Sequence, residues 1–300
     1  MIALIGCNGM LGNDVAEACR CAGIAFTGYD LPDTDIGDYD RILQQLLARE
    51  PDIVVNCAAY TAVDRAEEDT DTAARANITG PANLAAICED IGIPLIHIST
   101  DYVFDGCTTS PYTEQDTESP QTVYGCTKLE GERQIRDRLD HHIILRTSWL
   151  YGIHGSSFVT TIRRFGLERN EISVVDDQWG SPTWAADLSN AIVAIIRRTE
   201  SGISGEMYGT FHYSGSGKTT WRRFAEAIVE ECSHYEHMTV RKIIPVSTTE
   251  YPTAATRPAY SVLDCSKIKR VYGIGQCNWQ TSLKKMVGRL YERLDTIENH

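Results

Sequence analysis

Short apolar runs rich in β-branched residues alternate, along the first half of the chain, with longer segments whose apolar positions recur at helical period. Ile2 to Ile5, Ile24 to Thr27, Ile53 to Val55, Leu95 to Ile98 and Ile143 to Leu145 read as strands. Leu11 to Ala22, Tyr39 to Ala48, Thr72 to Asp90 and Val123 to Leu139 read as helices. Strands separated by single helices pair in parallel, because each crossover returns the chain to the same end of the sheet and lays a helix on one of its faces. The pattern therefore predicts an α/β fold built on a doubly wound parallel sheet. After about residue 150 the rhythm changes. Ser156 to Arg169, Pro182 to Arg198, Thr220 to Cys232 and Thr281 to Leu294 read as helices, with strands at Ile172 to Val175 and Met207 to Tyr213. We read 1–150 as one domain and 151–300 mainly as a smaller α/β lobe, with a soft boundary across which some segments return to the first sheet.

Composition narrows the function classes. With 300 residues and 42% hydrophobic content the chain can bury a sizeable core. A formal charge of −13 argues against a nucleic-acid partner, which needs a basic face to release phosphate counterions. No apolar run approaches the roughly 18 to 20 residues that cross a bilayer, so no membrane partner is expected. The ten cysteines are scattered without a C-x-x-C pair. With no export signal they read as reduced thiols of a cytoplasmic protein. The eight histidines show no metal-ligand spacing, and no metal site is expected.

The first strand runs into Gly6-Cys7-Asn8-Gly9-Met10-Leu11-Gly12 at the start of a helix. Glycines there permit a tight turn and let a pyrophosphate reach backbone N–H groups at the positive end of the helix dipole. Asp30 follows the second strand, eighteen residues after Gly12, where a carboxylate accepts hydrogen bonds from adenosine ribose hydroxyls. Gly6, Gly9, Gly12 and Asp30 are thus candidates for binding a dinucleotide on a Rossmann-type domain.

Tyr124 and Lys128 are four apart on a helix and share a face. A nearby ammonium stabilises a phenolate, so the pair is expected to lower the tyrosine pKa toward the working range of an acid–base catalyst. The lysine can also hold the nicotinamide ribose. Ser99-Thr100-Asp101-Tyr102 follows the fourth strand, at the sheet edge where ligands bind in such folds, and a hydroxyl there can donate to a carbonyl.

Two further motifs point nowhere. Gly215-Ser216-Gly217-Lys218-Thr219 imitates a phosphate-binding loop, but His212 stands where its first glycine is required, and Thr219 or Thr220 more simply caps the next helix. Asn77-Ile78-Thr79 fits a glycosylation sequon inside a predicted helix, an unsuitable place for one.

In this order the motifs resemble the extended short-chain dehydrogenase/reductase superfamily, and the strings between them resemble the dTDP-4-dehydrorhamnose reductase family. Those strings are Asn56 to Asp64, Ser99 to Gly106, Val123 to Leu129, Arg146 to Trp149, Val174 to Thr183, and Arg257-Pro258. Nearly the whole chain is covered. The resemblance implies reduction of the C4 keto group of dTDP-6-deoxy-L-lyxo-4-hexulose to dTDP-L-rhamnose, a step toward cell-surface polysaccharide, with hydride from NADH or NADPH. It implies that Thr100, Tyr124 and Lys128 are catalytic. It places Gly9, Met10 and Leu11 at the pyrophosphate, Asp30, Asp35 and Ile36 at the adenosine, and Ala59, Tyr60 and Thr61 along the cofactor trough. It places Thr100, Asp101 and Trp149 at the sugar. Cys57, Cys126 and Trp184 depart from what is usual there. Some members bind magnesium at a dimer contact, but the sequence shows no ligand cluster that supports it, and a monomer or a homodimer is compatible with it.

Two alternatives stay open at this level. A nucleotide-sugar epimerase or dehydratase shares the fold, although dehydratases usually carry Asp-Glu after the threonine where this chain has Asp101-Tyr102. A non-catalytic regulatory subunit resembling that of methionine adenosyltransferase keeps the same cofactor fold. Asp30, with no Lys or Arg in residues 29 to 40 to receive a 2′-phosphate, favours NADH. Arg41 on the next helix could swing in to relieve the repulsion between that carboxylate and the phosphate.

Overall fold

The computed structural model describes residues 1–200 and 205–298. The first half runs β1 (Ile2–Ile5), α1 (Met10–Ala22), β2 (Phe26–Tyr29), α2 (Tyr39–Leu47), β3 (Ile53–Asn56), α3 (Val63–Ala66), α4 (Thr70–Ala74), α5 (Gly80–Ile91), β4 (Leu95–Thr100), α6 (Val123–Arg138) and β5 (His142–Thr147). The second half runs β6 (Leu150–Tyr151), α7 (Phe158–Glu168), β7 (Glu171–Val175), β8 (Trp179–Gly180), β9 (Thr183–Trp184), α8 (Ala185–Glu200), β10 (Gly209–His212), β11 (Thr219–Thr220), α9 (Trp221–Cys232), β12 (Lys242–Val246), α10 (Ser266–Tyr272) and α11 (Trp279–Glu298).

Six strands form one parallel sheet in the order β10-β5-β4-β3-β1-β2. The chain leaves β1 toward β2 on one side and then crosses to β3 on the other, so a crevice opens beyond the carboxyl ends of β1 and β3. Alternating side chains of β1 supply both faces. Ile2 and Leu4 pack with Leu11 and Val15 of α1 and Leu188 and Ile192 of α8. Ala3 and Ile5 pack with Ile42 and Leu46 of α2 and Leu84 and Ile87 of α5. Burying one such large aliphatic side chain contributes about 1.5 to 3 kcal/mol, which is why these short strands need no exposed surface to persist.

A third core, with Val159 of α7, Ile172 of β7, Phe224 of α9 and Leu283 of α11, belongs to the second half of the chain. Several pieces of that half join the sheet domain: β10 extends the sheet beside β5, residues of α8 share the core of α1, and Ile268 and Tyr272 of α10 lie in the same core. Trp184, unusual in type, is buried in the third core. All ten cysteines are free. Among the described residues no helix is long and apolar enough to cross a membrane.

Several elements differ from expectation for identifiable reasons. The helix read from Pro182 starts at Ala185, because Thr183 and Trp184 pair with β6. The helix read over Thr72 to Asp90 is interrupted by a π-helical turn, Arg75–Thr79. That turn buries Asn77, whose amide accepts from the Tyr60 N–H at 2.9 Å and donates to the Tyr60 carbonyl at 3.1 Å and to the Thr127 hydroxyl at 3.2 Å. A fully used, buried amide is no sugar acceptor. The strand β12 escaped notice because Pro245 interrupts its pattern and its residues are only partly covered, as befits an edge. Thr220 caps α9, its hydroxyl accepting from the Arg223 N–H at 3.3 Å, which accounts for the false phosphate-loop motif.

Candidate active site

The glycine turn between β1 and α1 has a separate reason for each glycine. Gly6 takes φ +75°, and a Cβ on it would lie 2.6 Å from the Ala58 nitrogen. A Cβ on Gly12 would lie 2.0 Å from the Gly6 carbonyl oxygen, so α1 could not approach the turn. Gly9 faces open space apart from one contact at 3.3 Å. It caps α1 without a side-chain hydrogen bond, which leaves the first-turn N–H groups for an anion.

Two cavities of about 270 and 440 Å³ share Gly9, Cys57 and Ala59 on their rims. The smaller contains Gly6, Asp30, Asp35, Ile36 and Arg75. The larger contains Met10, Leu11, Thr61, Thr100, Asp101, Tyr124, Lys128 and Trp149. The sequence candidates are therefore brought together in two linked halves, as a dinucleotide requires, with Gly9 at the junction. Gly12 acts beneath the turn. Tyr60 lines neither cavity: its hydroxyl donates to Asp69 at 3.2 Å.

In the smaller cavity the Asp30 carboxylate is anchored at both oxygens, accepting from the Asn8 N–H at 2.7 Å and the Leu31 N–H at 2.8 Å. The cation that shares this cavity is Arg75, not Arg41. Its guanidinium donates twice to Asp35, at 2.8 and 3.0 Å, and lies across Gly37, where a Cβ would be 2.7 Å from Nε. Burial would raise the Asp35 pKa, but the Gly37 N–H and Arg75 hold it below its ordinary value. Arg75 sits on the π turn, a distortion no propensity in Thr72 to Asp90 announces.

In the larger cavity the Thr100 hydroxyl donates to Asp101 at 3.1 Å and accepts from the Tyr102 N–H at 3.2 Å. Asp101 is buried, and desolvation pushes its carboxyl up to about 6. Lys128 is hydrogen-bonded to β4 rather than to the phenol. Its Nζ donates to the Ile98 carbonyl at 2.6 Å and lies 3.2 Å from His97 Nε2. The expected depression of the tyrosine pKa is accordingly absent. Desolvation pushes Tyr124 up to about 12, with the Thr100 side chain acting in the opposite direction. Burial brings Lys128 down to about 8, against the fields of Glu132 and Cys57.

Trp149 takes a left-handed backbone conformation, φ +47°, which costs a non-glycine residue of order 1 to 2 kcal/mol and persists only where packing imposes it. Trp221 stacks on it at 3.6 Å between ring centroids and 8° between planes. A Cβ on Gly180 would lie 2.2 Å from its indole, so the glycine makes room for it. Trp149 is both wall and packed ring, and Trp221 is a partner that sequence patterning did not single out.

The helix α6 is fastened from below. Arg146 is fully buried and donates to Glu132 of α6 through Nε at 2.9 Å and Nη2 at 2.6 Å, while Ser99 donates to the same carboxylate at 2.5 Å. This fixes α6 against the ends of β4 and β5.

The chain matches the family model described as RmlD substrate binding domain over residues 1–292. It is 40% identical to a dTDP-4-dehydrorhamnose reductase of Sinorhizobium fredii, across 96% of this chain and 97% of that one. It belongs to the dTDP-4-dehydrorhamnose reductase family. The crystal structure of a family member from Clostridium acetobutylicum superposes with a TM-score of 0.90 at 36% identity, covering 97% of this chain and 99% of that one. A dTDP-4-dehydrorhamnose reductase of Bacillus anthracis, crystallised in complex with NADP, gives 0.88 at 37% identity, covering 95% and 97%. The Rossmann-type fold and the use of a nicotinamide dinucleotide follow from this membership and from the linked cavities.

A magnesium ion, which the family resemblance made possible, fits less well. Asp14, Glu17 and His154 hold ligand-capable atoms within 4.8 Å of one another, a cluster the sequence spacing conceals. Two of the three are taken by cations: Arg289 pairs with Glu17 at 2.6 Å and Arg293 donates to His154 Nδ1 at 2.9 Å. Magnesium demands an octahedron of oxygens. These residues do not supply it.

Proposed function

We propose that this chain reduces the C4 keto group of dTDP-6-deoxy-L-lyxo-4-hexulose to give dTDP-L-rhamnose, with NADH or NADPH as the reductant. The observation that carries the reading is one cavity holding the hydroxyl of Thr100, the phenol of Tyr124 and the amine of Lys128, continuous through Gly9 with a second cavity closed by Asp30. The dinucleotide, when bound, supplies the hydride.

The remaining chemistry falls to the chain. A phenol pushed up to about 12 is protonated at neutral pH and is therefore a donor, which is what a ketone oxygen needs as hydride arrives. Thr100, turning its hydroxyl from Asp101 to the same oxygen, donates a hydrogen bond to it and polarises the carbonyl. Once the phenol has given its proton, Lys128 as an ammonium stabilises the phenolate and holds the nicotinamide ribose. Asp101 and Trp149 line the sugar, and the glycine turn takes the pyrophosphate. Asp30 accepts from the adenosine ribose and sets a preference for NADH. Ten free thiols suit a reducing compartment, and we read the protein as cytoplasmic.

Purified protein given NADH and the dTDP-4-keto sugar is expected to consume reduced nicotinamide and form dTDP-L-rhamnose in equal amounts. Conversion of the sugar without net oxidation of NADH indicates an epimerase or dehydratase. Cofactor binding with no conversion of the sugar indicates a regulatory subunit.

A further inference from the structure

Behind Lys128 a buried line of hydrogen bonds runs through β3 and β4, and its polarity can be followed atom by atom. It starts at the Ala58 N–H, which donates to Asn56 Oδ1 at 3.0 Å. A backbone N–H has no alternative role, so the other end of that amide is the NH₂ group. This Nδ2 lies 3.0 Å from Nδ1 of His97, which must therefore offer a lone pair. A neutral imidazole with a bare Nδ1 carries its hydrogen on Nε2. The cationic form would carry one on both nitrogens, and burial together with the Lys128 charge drives the His97 pKa well below its ordinary value.

The Nε2–H then points at Lys128 Nζ, 3.2 Å away. An ammonium has three donors and no acceptor, so its N–H would meet another N–H. An amine has a lone pair to accept the imidazole proton and can still donate to the Ile98 carbonyl at 2.6 Å. Flipping the Asn56 amide does not help, since its NH₂ would then face the Ala58 N–H. His97, Asn56 and Lys128 have essentially no exposed surface, so water cannot relieve the mismatch.

We propose that His97 is a positioning residue that holds Lys128 as an uncharged amine in the cofactor-free protein at alkaline pH, so that dinucleotide binding there draws the lysine off His97 and takes up one proton. The amine gains that proton from solvent to become the ammonium that faces the ribose, and nothing is oxidised or reduced. This rests on the reading of Lys128 as a cofactor residue.

The other groups around the amine do not remove the constraint. On α6, Glu132 lies one turn beyond it, already paired with Arg146 and Ser99, and Tyr124 lies one turn before it. Cys57 follows β3, and Asp101 and Tyr102 follow β4 on the rim of the same cavity. Burial outweighs the fields of Glu132 and Cys57 and leaves Lys128 at about 8, so the amine predominates above that pH and the ammonium below it.

Linkage then makes cofactor affinity fall as pH rises above about 8, approaching tenfold per pH unit. Titration calorimetry with NADH in two buffers of different ionisation heat counts the protons. A Tyr124→Phe background keeps the phenol from contributing. At pH 9 uptake of about 0.7 to 1 proton per NADH is expected, and at pH 6.5 less than about 0.1. His97→Gln offers a carbonyl oxygen to the amine in place of an N–H. It should cut the uptake at pH 9 to below about 0.3 and flatten the pH dependence of Kd, with little change in Tm. Independently of any cofactor, ¹⁵N NMR of the wild type should show His97 Nδ1 bare and Nε2 protonated. Uptake at pH 9 below about 0.3 in the parent, unchanged uptake in a folded His97→Gln, or a protonated Nδ1 overturns the assignment. NADH and NADPH failing to bind at any pH overturns the cofactor reading as well, so the two failures are distinct.

Discussion

Replacing Asp30 by alanine tests whether one carboxylate sets the choice between NADH and NADPH. Its two oxygens are anchored by the backbone N–H groups of Asn8 and Leu31 at 2.7 and 2.8 Å, so the side chain cannot turn away from a 2′-phosphate without abandoning both. A like-charge pair at about 4 Å costs on the order of 4 kcal/mol at an effective dielectric of about 20. Solvent and salt at this open site reduce that to about 1 to 2.5 kcal/mol, or roughly five- to seventyfold in kcat/KM. Arg75 works the other way. Its ion pair with Asp35 is exposed and worth at most about 1 kcal/mol, so a phosphate can take over the guanidinium at small cost. At fixed ionic strength the wild type should favour NADH within that range, Asp30→Ala should bring the two cofactors to within about threefold, and Arg75→Ala should widen the gap. Equal use of both cofactors by the wild type, or an unchanged ratio in Asp30→Ala, refutes the argument.

Tyr124→Phe should lower kcat by about a hundredfold or more while leaving the Kd for NADH nearly unchanged, since the ring keeps its shape and only the proton donor is lost; stopped-flow turnover and fluorescence titration read the two. Gly180→Ala would put a methyl 2.2 Å from the Trp149 indole and expel it, so substrate KM should rise about tenfold or more with cofactor affinity intact. Trp149→Ala should share that signature, whereas a drop in Tm with loss of both affinities would make the ring a packing residue. Asp14 is buried with one oxygen unpartnered, and desolvation raises its pKa from 3.8 to about 6. Its neutral form is the favoured one, so its contribution is intact below about 4 and is lost as pH rises through about 6. Asp14→Asn should therefore match the wild type at pH 4 and exceed it by about 1 to 3 kcal/mol at pH 8, measured by urea unfolding; equal stability at both values removes the burial argument.

What could be read from the sequence was what local pattern encodes. The run from Ile2 through Gly12, with an acid eighteen residues on, is a contiguous instruction for strand, turn and helix. Tyr124 and Lys128 share a face by spacing alone. The direction in which Lys128 points was not legible, because it is set by Ile98 and His97 on a different element. The same spacing therefore suggested a lowered tyrosine pKa where burial raises it. Arg75 was hidden because a π turn displaces it from the helical face its sequence implies. Trp149 and Trp221 meet only once β5 and α9 are folded. Thr183 and Trp184 joined a predicted helix on propensity, and pairing with β6 prevailed. The linear pattern thus gave the sheet and the cast of the site, and long-range contacts decided orientation and charge.

A reductase of this kind delivers a hydride from the dinucleotide to C4 of the sugar. With NADH carrying deuterium at the transferable C4 position and the dTDP-4-keto sugar as substrate, NMR of the product should show deuterium bound to C4 of the hexose, in the L-rhamnose configuration, one atom for each NADH consumed. Product without deuterium at that carbon, or NADH left unoxidised while the protein binds it, would contradict the account.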